Sequence, residues 1–197
     1  MKNPISRFVK NERGVTALET AIILIAFVVV AAIFAFTILS TGTFLTERSK
    51  DAAYAGLSQV RGSLEVKGSV VAKDTSAPPD GKLDHVIFNL ANVAGGTPID
   101  FNTTTPVVAM KYRSTSEEVA VSSCWTKTSI GQDNGDDILE PGEVFQIDVD
   151  LSSNTCALNA QPEANDTFSI EVIPPTGSTL VLQRTVPPKV DLVTDLH

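Results

Sequence analysis

The chain contains a long apolar stretch close to its N-terminus. No charged residue occurs between Glu19 and Glu47, and residues 21–39 are almost all apolar. Valine and isoleucine are abundant here, but the stretch is much longer than an ordinary buried strand. No proline lies between Pro4 and Pro78, so nothing forces a helix to break. The pattern therefore predicts one long helix that could cross a bilayer.

The pattern becomes amphipathic after this stretch and a charged cluster at residues 47–51. Apolar residues then recur at the spacing of one helix face. They are Ala53, Leu57, Val60 and Leu64. A helix over residues 15–62 would be about 70 Å long, which is more than twice the thickness of a bilayer core. A membrane anchor has no use for the extra length, whereas a subunit that packs its helix against copies of itself does.

The remainder, residues 63–197, predicts short strands separated by turns. The strand-like segments are LEVKGSVVAKD, HVIFNLAN, TPVVAMKYRS, EEVAVSS, FQIDVDL, TFSIEVIP and TLVLQRTV. FQIDVDL alternates apolar and acidic residues, as a half-buried strand does. AGGT, NGD and PPTG mark turns between the segments. The predicted fold class is α+β: a long N-terminal hydrophobic helix followed by an antiparallel immunoglobulin-like β-sandwich.

Composition narrows the function. The 197 residues carry a formal net charge of −8, with an isoelectric point near 4.7, which argues against a nucleic-acid partner. The chain has two histidines and two cysteines, and it lacks a G-x-S-x-G elbow and a glycine-rich phosphate loop. Catalysis needs a nucleophile with a base, or a metal with an open position. We therefore expect a protein that is not an enzyme and requires no cofactor.

Residues 1–14, MKNPISRFVKNERG, form a basic leader. A secretory signal places its apolar core before the cleavage site. Here the apolar stretch follows the only plausible cut, at Arg13-Gly14/Val15, so cleavage would leave the helix on the mature protein. The leader would stay on the cytoplasmic side of the membrane by the positive-inside rule. The alternative is an uncleaved single-pass anchor with a short cytoplasmic tail.

A basic leader ending in RG, followed by VTALE and an unbroken apolar helix, resembles the class III signal of type IV pilin-like proteins. The long helix and β-rich remainder are most similar to archaellins, the archaeal flagellins. The resemblance implies cleavage after Gly14 by a prepilin-type signal peptidase. It also implies a precursor in the cytoplasmic membrane, an extracellular helical homopolymer for swimming, and an archaellum membrane motor and assembly machinery as partners. An archaeal adhesion pilin, or a membrane-tethered extracellular binding domain, is the alternative.

Glu19 lies four residues after the proposed new N-terminus. A carboxylate at the end of a membrane-spanning run needs water or a cation. The family resemblance implies that Glu19 pairs with the free amine of Val15, within one chain or between neighbouring chains. A local alternative is a capping box, in which Thr16 caps the helix and Glu19 is the acid three residues later.

Two further features concern the predicted sandwich. An extracellular location favours a disulfide between Cys124 and Cys156, with two free buried thiols as the alternative. Between them lies the acidic segment DNGDDILEPGE. Its start resembles a calcium loop, with Asp133, Asn134, Asp136 and Asp137 as the candidate ligands, although it lacks the full EF-hand spacing. The alternative is a solvated acidic hairpin.

Two N-x-S/T sequons occur in the β region, at Asn102 and Asn165. Archaellin-like proteins are commonly glycosylated, so the resemblance implies a glycan at one or both positions. Asn102 is the preferred acceptor because it lies beside turn-rich sequence.

Overall fold

The computed structural model describes residues 12–76, 79–121, 123–152, 156 and 158–196, with side chains from Thr16 onward. Residues 1–11 of the leader lie outside the described part. The chain divides into two compact units, Met1–Ala53 and Tyr54–His197. The described residues of the first unit form most of one helix, and the second unit contains the end of that helix and all of the described strands.

Helix α1 runs from Glu12 to Arg61. Its threonines do not interrupt it, because their hydroxyls donate to carbonyls of the preceding turn: Thr37 Oγ1 to Ile33 O at 2.8 Å and Thr46 Oγ1 to Gly42 O at 2.8 Å. The helix ends at Arg61, and the backbone of the next residue, Gly62, lies so close to Thr176 that a Cβ would overlap it. The predicted end of the helix and the observed end differ by one residue.

Twelve strands occur among the described residues. They are β1 (Leu64–Val66), β2 (Val70–Lys73), β3 (His85–Asn92), β4 (Ile99–Asp100), β5 (Ala109–Arg113), β6 (Glu118–Ala120), β7 (Trp125–Ile130), β8 (Ile138–Leu139), β9 (Val144–Asp150), β10 (Thr167–Ile173), β11 (Leu180–Thr185) and β12 (Val193–Leu196).

The strands form antiparallel sheets. One has the order β12-β2-β3-β9-β7, with β1 paired to the far part of β3; a second has the order β11-β10-β5-β6; and β4 pairs with β8. In β9 and β10 every second residue is buried, as the apolar–polar alternation predicts. The predicted fold class, a long N-terminal helix followed by an antiparallel β-sandwich, is confirmed.

The core lies within the strand-rich unit. Phe101 packs edge-on against Trp125 and Phe145, with ring centroids 6.1 and 5.8 Å apart, and Tyr112 stacks on Phe168 at 6.0 Å. Burial raises the pKa of the Tyr112 phenol to about 12, so this side chain stays neutral within the core.

Candidate assembly interface

Over residues 21–39 the surface of α1 is apolar on nearly all sides. Every side chain from Thr16 to Arg61 is exposed, and the large apolar ones range from 50% exposed for Val30 to 73% for Phe36. Soluble monomers rarely show a continuous apolar surface of this extent. By length and composition, α1 is also a helix that could cross a membrane. This surface therefore needs a cover of lipid or of other apolar helices.

Small residues interrupt the bulky ones along α1. Ala31, Ala32 and Ala35 lie within the apolar stretch. At Gly42 and Gly56 nothing lies within 4 Å of the position that a Cβ would occupy. Such positions allow another helix to approach closely, as in helix pairs within membranes.

Glu19 is exposed near the start of this surface. Nearby, Thr20 Oγ1 donates to the carbonyls of Thr16 and Ala17 at 3.0 Å each. Because α1 begins at Glu12, Thr16 lies inside the helix of the full-length chain. The capping box of Thr16 and Glu19 is therefore not formed in the uncleaved chain.

The proposed cleavage residues lie in the first turn of α1. Arg13, Gly14 and Val15 have helical backbone conformations, and their side chains lie outside the described part.

Hydrogen bonds join the last turn of α1 to loops within the unit Tyr54–His197. The Arg61 carbonyl accepts from Thr97 N at 2.8 Å, and Arg61 Nε donates to Gly95 O at 2.9 Å. Gln59 Nε2 donates to the carbonyl of Gly177. Gly177 has φ +112° and lies against Gly62, so a side chain there would be strained and would overlap the backbone. Sequence reasoning missed this junction because loops far apart in the chain form it.

Sequence comparison identifies the class of protein. A sequence model of the archaeal-type flagellin family matches residues 14–184. The chain belongs to this family. Probable flagellin 1 of Archaeoglobus fulgidus is 36% identical over 197 aligned residues, covering 94% of this chain and 95% of that protein. Probable flagellin 2 of the same organism is 31% identical over 192 residues, covering 91% of this chain and 92% of that protein.

Structural comparison agrees at the level of the fold. The archaeal flagellum of Methanospirillum hungatei strain JF1 matches with a TM-score of 0.61 and 24% identity, covering 91% of this chain and 97% of that chain. As an archaeal-type flagellin, the chain is a structural subunit of an archaellum filament used for motility and not an enzyme. An exposed apolar helix is what such a polymerising subunit needs.

The acidic loop of this flagellin does not gather its carboxylates. In the described part of the chain, no three acidic, histidine or cysteine side chains come close enough to hold a metal ion. Asn134 Oδ1 accepts from the Asp136 amide, and Asp136 Oδ1 accepts from the Ile138 amide. Asp133 lies exposed at the start of the loop. The calcium site stays a prediction that calcium titration would test.

An ammonium group occupies the inner side of this loop. Lys127 Nζ lies 2.7 Å from Asp137 Oδ1 and donates to Asp136 O at 2.9 Å. The same Nζ lies 4.5 Å from the centroid of the Phe145 ring, a cation–π contact. Asp137 Oδ2 also accepts from Asn102 Nδ2 at 3.0 Å. Sequence reasoning missed Lys127 because it lies on β7, outside the acidic segment.

Cys124 and Cys156 are both buried and form a disulfide, with their Cα atoms 5.4 Å apart. The bond links the start of β7 to the segment after β9. Their oxidised state in the secreted filament stays a prediction.

The two sequons differ in accessibility. Asn102 is partly buried: its side-chain oxygen accepts from the amides of Thr104 and Thr105, and its Nδ2 donates to Asp137. Asn165 is exposed in a turn with φ +68°, a conformation that asparagine tolerates better than most residues. The geometry favours Asn165, contrary to the preference drawn from the sequence.

Proposed function

We propose that α1 is held in the cytoplasmic membrane after synthesis and then forms the core of a helical homopolymer outside the cell. The observation that carries this proposal is the exposure of every side chain from Thr16 to Arg61 in the single subunit. Lipid covers this surface first, and the α1 helices of other copies cover it after assembly. The strand-rich unit, which buries its own core, faces solvent in the filament.

The change from lipid to protein requires removal of the basic leader. A prepilin-type signal peptidase cleaves after Gly14, and the mature chain begins at Val15. Removal of Lys2, Arg7, Lys10 and Arg13 takes away the charges that hold the leader in the cytoplasm. The new ammonium group of Val15 then lies about one helical turn from Glu19, where the two charges neutralise each other. The membrane motor and assembly machinery of the archaellum extract and rotate the polymer.

The test is a comparison of two glutamates. Glu19→Ala removes the partner of the new N-terminus, whereas Glu65→Ala removes an exposed strand glutamate that lies 3.5 Å from Lys67. We expect Glu19→Ala to abolish filaments, with precursor still present in the membrane, and Glu65→Ala to leave them intact. Mass spectrometry of wild-type filaments should find Val15 as the first residue. Filament subunits that still begin at Met1 would overturn the cleavage after Gly14. Normal filaments from the Glu19→Ala variant would overturn the pairing of Glu19 with Val15.

The filament surface carries a glycan. Asn165 is the better acceptor in the folded subunit. The residue is exposed and its side-chain amide makes no hydrogen bond among the described residues, while the side-chain amide of Asn102 donates to Asp137. Mass spectrometry of peptides from purified filaments should locate the added mass on Asn165. Modification confined to Asn102 would contradict this assignment.

A further inference from the structure

Four charged residues interrupt the apolar surface of α1. Glu47, Arg48, Lys50 and Asp51, here called the charged band, are the charged residues that occur between Glu19 and Arg61. All four side chains are exposed. Apolar residues precede and follow the band along the helix. They include Phe44 and Leu45 before it and Tyr54 and Leu57 after it, each more than half exposed.

Among the described residues, no ion pair involves the charged band. Glu47 and Lys50, and also Arg48 and Asp51, have the spacing of helix neighbours, yet neither pair forms an ion pair among the described residues. The Arg48 guanidinium lies over the Phe44 ring of its own helix, 5.3 Å from the centroid. In contrast, the strand-rich unit pairs many of its surface charges, as Lys111 and Arg113 do with Glu118.

Assembly changes the environment of the charged band. The band continues the apolar surface that other copies cover, so packing removes water from its four side chains as well. A desolvated charge without a partner is strongly unfavourable, while a paired one is tolerated. The band carries two positive and two negative groups, so a second copy brings the complementary set. Beside the band lies a shallow groove, where the open space at Gly42 lets another helix approach; the groove is lined by Ile38, Leu39, Gly42, Thr43, Thr46, Glu47 and Lys50.

We propose that the charged bands of neighbouring copies pair with each other, Glu47 and Asp51 of one copy with Arg48 and Lys50 of the next, and thereby set the axial register of the filament core. An apolar surface that is alike on all sides packs in many registers with similar energy. A polar group at one level selects among them, as a buried polar residue does in coiled coils. This inference rests on the proposed function of α1 as the polymer core.

Three variants of the full-length protein test the pairing. The first, Glu47→Gln with Asp51→Asn, removes the acids; the second, Arg48→Gln with Lys50→Gln, removes the bases; and the third combines all four changes. We expect each two-site variant to lower the yield of sheared filaments at least tenfold, because it leaves unpaired charges in the core. The four-site variant should assemble better than either, since it leaves none. Co-expression of the two two-site variants should restore filaments, because each supplies the charges that the other lacks.

Membrane levels of each precursor serve as the control for synthesis and insertion. If a two-site variant does not accumulate in the membrane, the single changes Glu47→Gln and Lys50→Gln test the same pairing. If all the variants give as many filaments as the wild type, the charged band remains exposed to water in the filament. A four-site variant worse than both two-site variants would exclude pairing. Rescue by the four-site change without rescue by co-expression would place the pairs within one helix. Each of these results overturns the proposal. Filaments from a separate culture that expresses the wild-type chain report independently on the filament function.

Discussion

The same amino-acid types have opposite environments in the two units of the chain. Phe36 in α1 is 73% exposed, whereas Phe88 in β3 is 1% exposed. Val30 is half exposed, whereas Val149 in β9 is fully buried. The sandwich buries its apolar side chains by itself, so its stability belongs to a single chain. The helix cannot, so most of its favourable burial is realised only in lipid or in the polymer.

The polar contacts differ in the same way. In α1, hydroxyls of residues such as Thr37 and Thr46 bond to the carbonyl four residues earlier. In the sandwich, polar side chains connect distant segments, as when Gln161 Nε2 donates to Asp84 Oδ1 at 2.7 Å. The helix is therefore determined by local sequence, and the sandwich by contacts that form only on folding.

The largest expected effect separates two phenylalanines. Phe88→Ala should lower the free energy of unfolding of the sandwich by about 3–5 kcal/mol, because it leaves a cavity in the core. Phe36→Ala should change it by less than about 0.5 kcal/mol, because an exposed side chain packs against nothing in the subunit. Chemical denaturation in detergent, followed by Trp125 fluorescence, measures both. Equal losses would show that α1 contributes to the fold of the single subunit.

This difference between local and distant contacts explains which elements of the fold could be predicted from the sequence. The limits of α1 follow from local features, an unbroken apolar run and a terminal glycine. Strands β9 and β10 follow from their alternation. Strand β7 was missed because its sequence, WTKTSI, is mostly polar: it lies at the edge of its sheet and its burial alternates only weakly. Strand β12 was missed because VTDL pairs with β2, more than a hundred residues earlier.

Predicting the candidate sites from the sequence was harder still, because they are formed by residues far apart in the chain. The density of acids over residues 133–143 left a calcium loop and a solvated acidic hairpin open, since sequence alone does not show which cation lies nearest. In the fold, β7 places Lys127 beside Asp137, and the loop after β4 places Asn102 at the other oxygen of the same carboxylate. Cys124 and Cys156 were a simpler case, because two cysteines in the chain allow one intrachain pairing.

The second prediction removes the covalent link in the sandwich. Replacing Cys124 and Cys156 together by serine should lower the free energy of unfolding by about 3 kcal/mol, because the disulfide shortens the unfolded chain across a separation of 32 residues. Denaturant titration measures the loss. A reducing agent should lower the stability of the wild type and leave that of the serine variant unchanged. If the reductant has no effect on the wild type, the cysteines are not bonded in the mature protein.

The third prediction compares two lysine–aspartate pairs of equal length. Lys127 and Lys189 each lie 2.7 Å from an aspartate, but the Lys127 side chain is 17% exposed and that of Lys189 is 82% exposed. Lys127→Met should therefore cost about 1 kcal/mol or somewhat more, and Lys189→Met close to nothing. Calcium should stabilise the Lys127→Met variant more than the wild type if the ammonium occupies the place of a cation. Identical denaturation curves for the two variants would contradict the comparison.

The smallest expected effect is the response of the sandwich to acid. Burial alone would raise the pKa of the Asp84 carboxyl. The hydroxyl and amide of Thr75 and the amide of Gln161 donate to it, however, and these bonds hold its pKa below the ordinary value. A lowered pKa in the folded state means that the carboxylate contributes stability above the unfolded pKa of about 4. That contribution is lost as the pH falls through the folded value.

Asp84→Asn should therefore lower the free energy of unfolding at neutral pH. Below about pH 4, it should also make that free energy depend less steeply on pH. Asp191→Asn is the control, because Asp191 is exposed and lies at the surface beside Lys189. Denaturant titrations across this pH range measure both slopes. If Asp84→Asn leaves the loss of stability in acid unchanged, other carboxylates cause that loss. Because no change at Asp84 touches the apolar surface of α1, the filament yield of this variant should fall only as far as its sandwich unfolds.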